Sequence, residues 1–381
     1  MYTNTTQYLR SLASDLVHGC RRTAADGTVI YTPDGTASYD GLWFRDFSYM
    51  VEYAGFAIPD QDIVNCIRYA VRHRRADGWM PDRVTTDGLA VYAAGIAAAP
   101  VGEANLDNTP FLIFTVDSLS RRMDPEAFLP LFTEWEADLE QGLFLLPIDE
   151  NGLVYNDIQK PHSPYGLTDT IGKTGTLYME SLLYWRACRM MEHMCKTYGV
   201  GNPDRFAKAA ESVERSLSLL FDPAAGAFYA ATKDCHQYDI WGMAYMLYIG
   251  FPCSADEKQA VLSFLEKNYD ACVYRGQVRH LLKGQYWERL LIDVEPETYQ
   301  NGAYWATASG WMIWCLAQQN PALAVRALED VVSCFKTDGS FECINEGYEK
   351  LPLFVVSSTN VCGGFERTIS DFPEFGAGKI D

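Results

Sequence analysis

The chain has 381 residues, 48% of them hydrophobic, and its 31 basic against 50 acidic side chains leave a net charge of −19. That length buries enough apolar surface to need no disulfide or metal staple, and the charge argues against a nucleic-acid partner, because phosphate binding rests on clustered Lys and Arg. No apolar run approaches the ~20 residues of a membrane span, and the N-terminal segment lacks a basic region followed by an apolar core.

The eleven cysteines are odd in number and form no C-x-x-C. They read as reduced, mostly buried thiols of a cytoplasmic protein. The six histidines are scattered and no H-E-x-x-H is present, so neither a metal nor a cofactor is expected.

Taken in chain order, the periodicity predicts two interleaved sets of helices. Amphipathic, charged helices are expected over about 3–17, 60–75, 124–141, 203–220, 255–269 and 320–335. Apolar helices are expected between them, over about 44–57, 108–121, 174–197, 238–250, 302–318 and 354–367. The run Ile240 to Phe251 carries no charge, and a helix apolar all round is a buried one. Connections from an apolar to an amphipathic helix are short. The return connections are long: 18–43, 76–107, 142–173, 221–237, 270–301 and 336–353. Six helical hairpins in this order predict an all-α (α/α)6 toroid, a single catalytic domain over residues 1–381, with every long loop at one end. An open α-solenoid is the competitor, but its repeats would have near-equal loops.

Polar and aromatic residues gather where the long loops enter the apolar helices. They are Trp43, Arg45 and Asp46; Asp107 with Asn108; Asp169 and Lys173; Asp239 and Trp241; Gln300, Asn301 and Trp305; and Glu342, Asn345 and Glu346. Aromatic rings pack on the C–H faces of sugars while carboxylates and amides bind hydroxyls. Each residue taken singly also has a plainer reading. Aspartates at helix starts serve as N-caps, tryptophans fill cores, Lys173 neutralises a neighbouring carboxylate, and Gly242, Gly302 and Gly310 permit close packing. The coincidence of six such groups at one end favours a binding cavity.

The W-x-R-D at Trp43–Asp46 and the Tyr299-Gln300-Asn301-Gly302 segment followed by Trp305 resemble the six-hairpin glycosidase superfamily, and within it the trehalase, processing α-glucosidase and neutral invertase group. Gly166-Leu167-Thr168-Asp169 sits where those enzymes have G-W-D, whose aspartate is the general acid. Phe341–Asn345 is similar to their E-N-Y-N-type segment, whose glutamate is the general base. Leu167 replaces the tryptophan, and Cys343-Ile344 replace the usual Asn-Tyr. The resemblance therefore implies Asp169 as acid and Glu342 as base, on loops that face each other across a six-hairpin ring. Trp43, Arg45, Asp46, Asp107, Lys173, Asp239, Trp241, Gln300, Asn301, Trp305 and Glu346 are then candidates for holding the sugar. Glu346 is the rival base and Asp46 the rival acid.

The resulting expectation is an inverting, exo-acting glycoside hydrolase whose partner is a small carbohydrate, with no nucleic acid and no membrane. Nothing in the chain specifies an oligomeric state. A sugar epimerase on the same toroid would want a histidine pair, and a polysaccharide lyase a local basic pocket. A non-catalytic carbohydrate-binding relative is the remaining alternative.

Overall fold

The computed structural model describes residues 3–376. Its helices are α1 (Thr3–Gly19), α2 (Phe44–Ala54), α3 (Asp60–Arg72), α4 (Asn108–Ser120), α5 (Pro125–Leu143), α6 (Tyr178–Tyr198) and α7 (Pro203–Ser216). They continue with α8 (Ile240–Tyr248), α9 (Ala255–Lys267), the single turn α10 (Tyr269–Cys272), α11 (Ser309–Gln319), α12 (Pro321–Thr337), α13 (Val355–Asp371) and the short α14 (Pro373–Gly376).

Local chemistry starts and stops these helices. Ser254 and Glu257 form a reciprocal capping box at α9, which satisfies two otherwise orphaned amides. Asp239 accepts the Gly242 amide at 2.9 Å to open α8. Asp124 and Asn320 cap helices that carry proline at their first position, where a missing N–H costs nothing. Gly199 ends α6 with φ +68°, a conformation that favours glycine.

Burial sorts the helices into two rings. All nine residues of α8 are buried. In α3 the buried Ile63, Cys66, Ile67 and Ala70 repeat at helical spacing between charged positions, the pattern of a helix with one face on a core. Helices α2, α4, α6, α8, α11 and α13 each pack on the next, and α13 packs back on α2, closing an inner ring. Helices α1, α3, α5, α7, α9 and α12 lie outside it, so the architecture is an (α/α)6 toroid. Gly310 and Gly364 bring α11 and α13 into backbone contact; a Cβ at either would lie 3.0 Å or less from the other's Cα. Within the ring Trp241 meets Trp305 and Trp311 edge-on at 6.1 and 6.0 Å.

The structure departs from the periodicity at one inner helix. Residues 302–305, expected to begin it, are extended, Ala306–Ala308 form a single 3-10 turn, and the α-helix starts only at Ser309. Trp305 exchanges backbone hydrogen bonds with Val278, and Tyr304 with Ile344. Gly302 makes the approach with φ +128°. The long loops also carry short antiparallel hairpins that the sequence did not announce. Gly41–Trp43, Arg83–Thr85 and Ala90–Val91 form a three-stranded sheet, and Phe341–Asn345 pairs with Tyr348–Pro352. Among the described residues no helix is long and apolar enough to cross a membrane. All eleven cysteines are free thiols, and only Cys253 is not buried.

Candidate active site

At the loop end of the ring lies a cavity of about 40 Å³. The first loop and the start of α2 contribute Tyr39, Trp43, Arg45 and Asp46 to its wall. The third loop contributes Gly166, Leu167 and Asp169, the fifth Tyr299, and the sixth Glu342 and Phe354.

Asp34 sets the shape of the first loop. Its buried carboxylate accepts the amides of Thr36, Ser38 and Tyr39 at 2.9, 3.1 and 3.0 Å, a turn built by an acidic side chain on its own backbone. That turn fixes Tyr39, whose ring meets Trp43 edge-on at 5.0 Å. Trp43 also carries the Arg83 guanidinium 4.3 Å above its ring, a favourable cation–π contact.

Arg45 stands on the cavity wall in a carboxylate cage. Its Nε donates to Asp107 Oδ2 at 2.8 Å and its Nη2 to Asp82 Oδ1 at 3.0 Å. Asp46 Oδ2 is 3.9 Å from Nη1. Asp82 is itself held by Arg83 and Asn105, and Asp107 also accepts the Gly166 amide at 2.8 Å. A buried cation is tolerated on these terms, paired and hydrogen-bonded.

The two carboxyls expected to do the chemistry both line this cavity, in different surroundings. Asp169 Oδ1 accepts a hydrogen bond from Gln300 Nε2 at 2.8 Å. Gln300 is oriented in turn by the Thr170 amide and hydroxyl, both donating to its Oε1. Burial raises the Asp169 carboxyl to about 7 despite the opposing pull of Arg45. Glu342 accepts the Tyr39 hydroxyl on Oε1 at 2.8 Å and pairs with Lys350 through Oε2. Burial raises its carboxyl too, while Lys350 and then Tyr39 pull it back down. Asp46 is a third raised group, at about 7, through burial and the nearby Glu342 against the lowering by Arg45.

Several residues singled out in the sequence lie behind the wall. Asp107 and Gln300 hold Arg45 and Asp169 from outside the lining. Asn301 accepts the Trp287 amide and donates to the Val294 carbonyl. Trp305 donates to the Tyr299 carbonyl and packs against that ring at 5.3 Å. Lys173 is buried against Glu180, with Nζ 2.5 Å from Oε1, and Asp239 caps α8. Trp241 lies against His280, ring centres 3.9 Å apart. Glu346 is exposed at the turn of the sixth-loop hairpin. The sequence reading missed Tyr39, Asp82, Tyr299 and Lys350. Tyr299 adjoins the Gln300-Asn301 segment and was within reach of the motif; the other three sit in no recognisable pattern.

Among the described residues no group of three or more His, Cys, Asp and Glu is placed to hold a metal ion. A larger cavity, about 490 Å³, opens at the opposite end of the ring. Its Arg186, Glu52, Arg122 and Glu366 are taken up in ion pairs, so the small cavity carries the concentrated chemistry.

No family model matches the chain, and no curated protein matches it. Solved structures do resemble its fold. A family GH63 mannosylglycerate hydrolase from Thermus thermophilus, in complex with glucose, superposes with a TM-score of 0.67 at 14% identity over 94% of this chain and 100% of that one. A rhamnosidase from Klebsiella oxytoca with rhamnose bound gives 0.66 at 11% identity over 97% and 65% of the two chains. A glycosidase variant in complex with glucose gives 0.65 at 13% identity over 98% and 99%. At these identities the likeness establishes the toroid shared with sugar-binding glycosidases.

Proposed function

We propose that the protein is a glycoside hydrolase acting on a small glycoside with inversion, Asp169 serving as general acid and Glu342 as general base. One observation carries the reading. Two buried carboxyls from the third and sixth loops share one cavity, and their partners differ in the way the reaction requires. Asp169 keeps its proton to about pH 7, as a group must to protonate a leaving oxygen. Glu342 has a cation on one oxygen, which favours the anion a base needs.

In the step this implies, Glu342 takes a proton from water as the water oxygen bonds to the anomeric carbon. The glycosidic C–O bond breaks, and the Asp169 proton passes to the departing oxygen. Arg45, Asp46 and Trp43 then face the sugar ring, and the neighbours that bind glucose or rhamnose make a monosaccharide unit the natural occupant. No histidine lines the cavity among the described residues. His280 is buried against Trp241 with its proton affinity lowered by burial and Lys173. That disfavours an epimerase working through a histidine pair. A panel of gluco-, manno- and rhamnosides tests the assignment. Hydrolysis of at least one, lost in Asp169→Asn and in Glu342→Gln, is expected; hydrolysis that survives both substitutions overturns it.

A further inference from the structure

Glu342 lies on the strand Phe341–Asn345 and Lys350 on its partner Tyr348–Pro352. The hairpin register sets Lys350 opposite Cys343. Residues directly opposite share a face, and neighbours along a strand alternate. A regular ladder would therefore put Lys350 and Glu342 on different faces. The ladder here pairs Phe341 with Pro352 and Cys343 with Lys350, but not Glu342 with Leu351. Leu351 and, just past the strand, Leu353 have φ of +49° and +58°. A bulky side chain seldom adopts that region, and it persists only where the surroundings over-determine it.

At this hairpin the side chains nevertheless meet in a clamp. Lys350 Nζ pairs with Glu342 Oε2 and donates to the Tyr39 hydroxyl at 2.8 Å. It also stands 3.6 Å from the centre of the Tyr299 ring. The Tyr39 hydroxyl donates its own proton to Glu342 Oε1 at 2.8 Å. Each carboxylate oxygen is thus engaged once, and an ionised carboxylate offers about four acceptor positions. We propose that Lys350, acting with Tyr39, is a positioning residue that locks Glu342 as an anion in one orientation, leaving a lone pair on each oxygen for a water molecule. The proposal rests on the reading of Glu342 as the base and adds the residue that makes a buried glutamate fit for that role.

The other groups facing Glu342 would not replace Lys350. The Asp34 and Asp46 carboxyls oppose a negative Glu342. Tyr299, Tyr348 and Cys343 feel Glu342 as a negative neighbour, and Asp169 shares its cavity. Lys350 is the cation that touches it.

The test titrates Glu342 directly in the full chain without substrate. Protein labelled with carboxyl-¹³C glutamate is followed by NMR against pH, and Glu342→Gln identifies the resonance. In Lys350→Met the carboxyl should bind its proton about tenfold or more tightly, and Lys350→Arg should restore most of the wild-type midpoint. Lys350→Gln, closer in shape and polar, serves if the Met variant does not fold. On any glycoside the wild type hydrolyses, the acid limb of kcat/KM should move to higher pH in the same order. An unchanged midpoint in folded Lys350→Met or Lys350→Gln overturns the proposal, even where hydrolysis depends on Glu342. A shifted midpoint in a protein that hydrolyses no glycoside leaves Lys350's hold on Glu342 standing and overturns the hydrolase reading instead.

Discussion

Gly166 and Arg45 define each other's positions: a Cβ on Gly166 would lie 1.5 Å from Arg45 Nη2 and 1.6 Å from Cζ. The guanidinium lies directly against the third-loop backbone while Asp107 grips both, accepting from Arg45 Nε and from the Gly166 amide at 2.8 Å each. One buried carboxylate therefore ties the start of α2 to the third loop, three residues from Asp169. Gly166→Ala must expel the guanidinium and leave Asp82 and Asp107 short of a partner. The expected cost is about 3–5 kcal/mol, the range for breaking a buried ion pair, and thermal unfolding measures it. A Gly166→Ala protein as stable as wild type would mean that the cage can rearrange.

The raised carboxyls give the stability a definite pH signature. In the unfolded chain an aspartate loses its proton near pH 4, whereas folded Asp169 and Asp46 hold theirs to about 7. Across that window the native state binds more protons than the unfolded one, so stability falls as pH rises and the penalty is complete above pH 7. Asp169→Asn removes one such penalty and leaves an amide able to accept from Gln300. Its unfolding free energy should exceed that of wild type at pH 8, by up to about 4 kcal/mol, the free energy of moving a carboxyl's proton affinity across that window. At pH 4 the advantage should vanish. An equal gain at both pH values would trace the effect to packing and not to charge.

Asp169→Asn also reports on its chemical role. Donating a proton to the leaving oxygen contributes roughly 10²–10⁴-fold, and that help matters least for a leaving group already acidic. Natural glycosides should lose most of their turnover while a 2,4-dinitrophenyl glycoside of the same sugar retains much of it. With the acid at about 7, the alkaline limb of the wild-type profile should fall near that pH and disappear in the variant. If Asp46→Asn, and not Asp169→Asn, removes that limb, Asp46 is the proton donor.

The ring was legible because burial writes itself into periodicity. The uncharged run Ile240–Phe251 could only be an inner helix, and α8 is buried throughout. Residues 302–305 misled because their apolar composition reflects burial between two loop strands, at Val278 and Ile344, which helical periodicity does not distinguish from a helix. Trp43, Arg45 and Asp46 sit at the start of an inner helix, and Asp169 and Glu342 on long loops that lead into two others, an end of the ring that chain order alone reveals. Tyr39 and Lys350 were invisible for the opposite reason. One depends on the turn folded around Asp34, the other on a hairpin whose ladder skips the Glu342–Leu351 pair, with Leu351 at φ +49°. Lys173 and Asp239 show the reverse, since a polar residue at a loop end can be consumed by an ion pair or a cap.

Glu342 and Glu346 are rivals for the base, and their surroundings differ. Glu342 is buried, lines the cavity with Asp169, and has an oxygen on Lys350 and another on Tyr39. Glu346 is exposed at the hairpin turn, four residues on. A base that activates water makes no bond to carbon, so no covalent glycosyl-enzyme forms and the anomeric configuration inverts. Proton NMR of the first sugar released should therefore show the anomer opposite to that of the substrate, before mutarotation mixes the two. Glu342→Gln keeps the shape of the side chain but cannot take a proton, so turnover should fall by about 10²–10⁴-fold or more, with azide giving no retained glycosyl product. Glu346→Gln alters only a solvated turn and should leave turnover within about twofold, as surface changes do. A first product of retained configuration, or a Glu346→Gln protein as inactive as Glu342→Gln, would assign the chemistry to a different carboxylate.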